Sequence, residues 1–201
     1  MEITWLGKTA ILLKDKGVSA LIDPDPKAED TKEDIILKTQ GGTDKDDEKY
    51  AGKVFSWPGE YEVKDIQIAA YQTWTKSKSK EDEGEKAKEN LIFTLDFNGI
   101  KICHLGNLGH ILSSDLVNEI GDVDVLIIPL GESSNLNTKK ALEIVESIEP
   151  RVIIPMMDEA PVKYLKELGA SEVEEMEKFV LKARSELPED KRRHILLTVA
   201  K

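Results

Sequence analysis

Hydrophobic positions in the first third of the chain come in short runs. ITWLG, AILLK and VSALID each alternate or run apolar for a few residues, and Gly, Lys and Asp separate them. That period and those breakers predict β-strands joined by tight turns. Asp23-Pro24-Asp25-Pro26 stops the third run, because proline fixes φ and lacks a donor. A further strand is predicted in EDIILKT (33–39), followed by a polar loop, QGGTDKDDE. Lys53–Ser56, Tyr61–Val63 and Ile66–Tyr71 read as three more strands, with Trp57-Pro58-Gly59 as a turn.

The second half changes rhythm. NLIFTLDF and IKICHL form a hairpin pattern around Asn98-Gly99, a dipeptide suited to a two-residue turn. LSSDLVNEI reads as a helix capped by Ser113 or Ser114, and DVDVLIIPL as a buried strand. NTKKALEIVESIEP reads as an amphipathic helix presenting Ala141, Leu142, Val145 and Ile148 on one face. RVIIPM is a strand and APVKYLKELG a short helix ended by glycine. KFVLKA and HILLTVA are closing strands, and EVEEMEK between them fits helix or loop. Strands first and strand–helix units later suit two sheets packed face to face with helices outside. Residues 75–90, TKSKSKEDEGEKAKEN, hold almost nothing to bury and read as a mobile charged loop over the fold or over a site.

Composition narrows the functional classes. The 201 residues suit one domain (1–201), and 40% apolar residues can supply its core. A formal net charge of −11 argues against nucleic acid, since Lys191-Arg192-Arg193 is the densest basic cluster. A single cysteine, Cys103, rules out an internal disulfide framework and fits the cytoplasm. The N-terminus lacks a signal-peptide pattern and no apolar run is long enough to span a membrane.

The chemistry-bearing stretch is HLGNLGH (104–110), where two histidines bracket a glycine loop after a strand. Cys103 and His104 are adjacent in a strand, so they face opposite ways and form no nucleophile–base pair. His104 reads as structural. His110 is the candidate for residual acid–base chemistry, although no paired carboxylate is evident. Trp74 and Tyr71 either wall a pocket or pack, Glu60 and Glu62 share a solvent face, and Asp23 and Asp25 could bind a hard cation with Asp44.

ITWLG, LIDP, WPGEYEV, HLGNLGH, DVDVLIIP and VIIPM, in that order, resemble the metallo-β-lactamase superfamily. The likeness is to its lactonase-like Zn-dependent hydrolases and covers roughly residues 2–157. It implies a four-layer αββα sandwich with a metal site at one edge of the two sheets. The family usually carries His-x-His-x-Asp-His after a strand such as DIILKT. Here those positions are Gln40, Gly42, Asp44 and Lys45, so only the aspartate remains. The next family histidine matches Thr75, the bridging aspartate Asn107, and the histidine after Ile-Pro-Met is Met157. Lys8 stands where relatives commonly have histidine.

Zinc takes about four ligands from Cys, His or carboxylate. The expectation is therefore a degenerate member without its zinc, a pseudoenzyme binding a small molecule or a protein at the vacated edge. Lys8, Asp44, Lys45, Thr75, Asn107, His110 and Met157 would line that edge, with Lys45 paired to Asp44 or joining Lys8 around an anion. The alternative is a hydrolase of a small lactone or phosphoester, using an unrecognised metal site or metal-free His110 chemistry. A homo-oligomer is compatible with either.

Overall fold

The computed structural model describes residues 1–25, 31–40, 47–76, 87–157, 162–170 and 172–200. Two mixed sheets build the molecule. The first orders its strands β13-β1-β2-β3-β4-β5, from β1 (Glu2–Gly7), β2 (Ala10–Asp15), β3 (Val18–Ile22), β4 (Ile35–Leu37), β5 (Lys53–Phe55) and β13 (Lys178–Val180). The second runs β12-β14-β11-β10-β9-β8-β7-β6. Its strands are β6 (Gly59–Val63), β7 (Ile66–Trp74), β8 (Glu89–Phe97), β9 (Ile100–His104), β10 (Val125–Leu130), β11 (Val152–Met157), β12 (Glu174–Met176) and β14 (Arg193–Leu197).

The antiparallel hairpins close on residues with positive φ, as two-residue turns demand. Asn98 (φ 54) and Gly99 (φ 82) join β8 to β9, and Lys64 (φ 51) and Asp65 (φ 63) join β6 to β7. Beyond β9 the pairing becomes parallel, and parallel neighbours need crossovers. Helices supply them: α1 (Ser114–Ile120) between β9 and β10, and α2 (Thr138–Ile148) between β10 and β11. A third helix, α3 (Val162–Glu167), follows β11. β10 is buried at every position because sheet neighbours and both faces cover it.

Two hydrophobic layers result. Trp5, Ile11, Leu13, Phe93, Phe97, Ile127 and Ile154 pack between the sheets. Leu126, Ile128, Ile144, Val145 and Leu165 pack between the second sheet and the helices. Among the described residues, the buried faces of all three helices belong to that second layer.

The sequence expectations differ from the structure in several places. β7 extends to Trp74, three residues beyond its predicted end, because Trp74 pairs with Glu89 in an unbroken ladder. Glu89 and Asn90 are therefore strand rather than loop. Of the charged segment, residues 77–86 lie outside the described residues. The core face of α2 is Ala141, Ile144, Val145 and Ile148, while Leu142 is 36% exposed. Those four positions follow the helical i, i+3, i+4, i+7 spacing, and Leu142 falls off it. Ser113 is the cap of α1, accepting from Leu116 N. Glu174–Met176, within the ambiguous EVEEMEK, is strand β12, paired with β14.

Candidate functional site

At one edge of the sandwich the strand ends of both sheets are tied together. Met157 N, at the end of β11, donates to Lys8 O in the β1–β2 turn at 3.0 Å. Trp5 Nε1 donates to the same carbonyl at 2.9 Å. Thr39, just past β4, accepts at its carbonyl from Leu91 N of β8 at 2.6 Å. His104 Nε2, at the end of β9, donates to Thr9 O at 2.9 Å, while its Nδ1 accepts from Gly106 N at 3.1 Å. Those two partners fix the imidazole as neutral with its proton on Nε2. Burial pushes its pKa down, against an opposing pull from Asp23. His104 is thus a cross-sheet tie.

Asp23 lies in the left-handed region (φ 49). Its two carboxylate oxygens accept from Thr39 N (2.7 Å) and Thr39 Oγ1 (2.6 Å). Asp23 is therefore engaged in holding the exit of β4. Met157, with φ 95, is a long side chain in a backbone region that L residues avoid. It packs against the layer between the sheets.

The loop after β9 folds around a buried amide. Asn90 is fully buried. Its Nδ2 donates to Thr73 Oγ1 (2.8 Å) and Leu105 O (3.1 Å), and its Oδ1 accepts from Asn107 N (2.7 Å). A Cβ on Gly106 (φ 59) would stand 2.4 Å from Asn90 Oδ1, and one on Gly109 would stand 1.7 Å from the Thr75 carbonyl oxygen. Both glycines are demanded by close approach. The side chain of Asn107 accepts at Oδ1 from Asn135 Nδ2 at 3.0 Å.

His110 bridges main chain to main chain. Nε2 accepts from Trp74 N at 3.2 Å and Nδ1 donates to Ile111 O at 2.8 Å. Its ring lies 6.2 Å from the Trp74 ring, centroid to centroid. Both nitrogens being engaged, His110 has none left to exchange a proton with a substrate while this geometry holds. Thr75 is buried, with Oγ1 accepting from Lys88 N at 3.1 Å. Tyr71 donates from its hydroxyl to Glu119 O at 3.1 Å. Cys103 is buried, and burial pushes its thiol pKa up to about 12.

A cleft of about 490 Å³ opens beside these ties, lined by Lys8, Thr9, Asp23, Asp25, Lys38 and Gln40, among others. Lys8 is exposed on its rim. Lys38 Nζ pairs with Asp47 Oδ1 at 2.9 Å. The structure therefore gathers Lys8, Thr75, Asn107, His110 and Met157 around one edge through bonded neighbours. Gly42, Asp44 and Lys45 lie outside the described residues, and with them the expected Asp44–Lys45 pair. Sequence reasoning missed Asn90, Thr73, Thr39 and Asn135. The available signal was polar Asn90 directly before the apolar run Leu91–Phe93 of the predicted strand.

The family profile described as Beta-lactamase superfamily domain matches residues 2–157. The chain belongs to the metallo-β-lactamase superfamily. Within this superfamily it is similar to a candidate Zn-dependent hydrolase from Thermotoga maritima. The TM-score is 0.77 at 28% identity, covering 96% of this chain and 97% of that one. It is also 26% identical over 191 residues to a UPF0173 metal-dependent hydrolase of Archaeoglobus fulgidus, covering 78% of this chain and 82% of the relative. A metallo hydrolase of Ignicoccus hospitalis, at 18% identity and a TM-score of 0.61, shares the fold.

The superfamily's zinc can be tested against the donors at this edge. The described residues at the matched positions are Gln40, Thr75, Asn107 and Met157. They offer amide and hydroxyl oxygens and a thioether, whereas zinc selects imidazole, thiolate and carboxylate. No group of three or more His, Cys, Asp or Glu placed to hold a metal ion occurs among the described residues. These four described residues supply none of zinc's preferred ligands, and Asp44 lies outside the described residues.

Proposed function

We propose that this chain uses the metallo-β-lactamase scaffold as a binding protein, without zinc hydrolysis at the superfamily edge. The carrying observation is the amide pair at the bridging position: Asn107 Oδ1 accepts from Asn135 Nδ2. A neutral amide oxygen already bonded to a protein donor is a weak ligand for a divalent ion, whereas a carboxylate there would attract one. His110 supports the same reading, because the main chain holds both its nitrogens. The cleft beside the cross-sheet ties presents the exposed Lys8 on its rim to a small polar molecule, while Asp23 and Lys38 are held by Thr39 and Asp47. No described helix is long and apolar enough to cross a membrane. The buried, lone Cys103 supports a place in the reducing cytoplasm.

A second reading, hydrolysis of a small lactone or phosphoester, is favoured by the relatives. Those cited from Thermotoga maritima and Archaeoglobus fulgidus are named hydrolases, Zn-dependent or metal-dependent, and this chain spans 97% and 82% of their lengths. It requires a metal held with residues such as Asp44, or release of His110 from Trp74 and Ile111.

Elemental mass spectrometry separates the binding-protein reading from metal-dependent hydrolysis, and a lactone and phosphodiester panel on metal-free protein tests the His110 route. Protein purified without a metal-binding tag is incubated with excess zinc, manganese or iron, then desalted. The binding-protein reading expects far less than one equivalent of every ion. One or two equivalents would overturn it and direct work to a lactone and phosphodiester panel.

A further inference from the structure

We propose that Asn98–Gly99 is a site of spontaneous covalent modification that acts on the contact between the two sheets. Asn98 is the only asparagine in the chain that precedes a glycine. The dipeptide forms the exposed β8–β9 turn, and a Cβ at Gly99 would meet nothing within 4 Å, so its nitrogen is not crowded. The Gly99 nitrogen attacks Cγ of Asn98. The new N–Cγ bond replaces Cγ–Nδ2, and ammonia leaves carrying the proton that Gly99 N gave up. Water then opens the cyclic imide at either carbonyl, giving aspartate or isoaspartate. One water is consumed, one ammonia is released, and nothing is oxidised or reduced.

The fold restrains both reacting ends. Gly99 N donates to Asp96 Oδ1 at 2.7 Å, which holds the nucleophile. Asn98 Nδ2 donates to Asp15 Oδ2, which holds the leaving amide. Reaction therefore waits on local opening of the turn.

Asp15 ends β2 of the first sheet, and Asn98 belongs to a hairpin of the second. The hydrogen bond between them spans the sandwich. After hydrolysis a carboxylate faces Asp15 in place of a donor, and like charges at that separation repel. The Met1 ammonium, 3.1 Å from Asp15 Oδ1, offsets this in part. A bond joining the sheets becomes a repulsion.

The test incubates the full chain at mildly alkaline pH and follows the residue-98 peptide by mass spectrometry, with enzymatic detection of isoaspartate. Wild type should accumulate both products at residue 98. Asp15→Ala should do so about tenfold faster, the factor that one hydrogen bond to a charged group is worth. Gly99→Ala should slow the reaction by crowding the nucleophile. Equal rates in wild type and Asp15→Ala, or no modification at 98 in either, would overturn the proposal. Circular dichroism checks that each variant is folded, and Asp15→Val, which also lacks a side-chain acceptor, replaces Asp15→Ala if the latter is not. Separately, Asn98→Asp should lower the thermal midpoint, and Asp15→Asn in the same chain should recover part of that loss. An unchanged midpoint in Asn98→Asp would overturn the effect on the sheets.

Discussion

The side-chain oxygen of Asn90 holds the main-chain N–H of Asn107 at 2.7 Å, so a residue at the start of β8 sets the path of the loop that leaves β9. The same amide donates to Leu105 O and to Thr73 Oγ1. Asn90→Leu would leave two buried main-chain groups and a hydroxyl without that partner. Each unsatisfied group costs about 1–3 kcal/mol, so a total loss of about 3 kcal/mol or more is expected in urea unfolding. A loss under about 1 kcal/mol would mean that water replaces the amide.

Gly109 tests the packing of the same loop. Its Cβ would overlap the Thr75 carbonyl oxygen at 1.7 Å, and backbone cannot rotate away as a side chain can. Gly109→Ala should cost about 3 kcal/mol. Gly121→Ala, at a helix end with φ 67, ψ −152 and open space, should cost less than Gly109→Ala, about 1–2.5 kcal/mol for a backbone region that is essentially glycine-only. Parallel thermal melts of the two variants check the ranking.

Asp124, immediately before β10, is 1% exposed. Arg184 Nε donates to both its oxygens at 3.1 Å, and Lys101 N donates to Oδ2 at 3.0 Å. Asp124→Ala should destabilise the fold by about 3 kcal/mol, because the main-chain donor loses its partner and the buried site becomes a void. Arg184→Ala should cost less, since its guanidinium is half exposed. Denaturant midpoints of the two variants read the difference.

Acid should weaken the fold through its buried histidines. His194 is 6% exposed, Nε2 has no hydrogen-bond partner among the described residues, and burial followed by nearby Arg192 pushes its pKa down. His104 is lowered by burial as well. A depressed folded pKa means that the unfolded chain takes up the proton first. The contribution is complete above the unfolded value of about 6.5 and is lost as pH falls from there through the folded values. His194→Leu should flatten the decline measured by urea unfolding at successive pH values. An unchanged slope would assign the acid sensitivity elsewhere.

Periodicity carried most of the strands, because runs such as VLIIPL and the Asn98-Gly99 turn follow local rules, while the family likeness rested on the order of motifs such as ITWLG, WPGEYEV and HLGNLGH. The core face of α2 was legible only in part: helical spacing selects Ile144 over Leu142, a distinction that shared hydrophobicity blurs. The candidate site was harder. Asn107 and Met157 sit inside recognisable flanks, whereas Thr75 borders an unusual charged stretch that gives its position no such anchor. The bonded partners could not be placed, since Asn90–Asn107, Thr39–Asp23 and His104–Thr9 join residues far apart in sequence. His194 sat unnoticed in HILLTVA, where an orphaned imidazole looks like any other strand position.

One residue, Glu177, separates β12 from β13, yet these strands lie on the outer edges of different sheets, one beside β14 and the other beside β1. A short C-terminal stretch therefore seals both layers. During synthesis, the chain through α3 would emerge with the β1 edge unpaired and β11 awaiting β14. Such edges are templates for pairing with other chains. Emergence of residues 174–197, rather than completion of any one sheet, becomes the step at which the protein escapes aggregation, and nascent chains stalled before residue 174 should be the ones that chaperones hold.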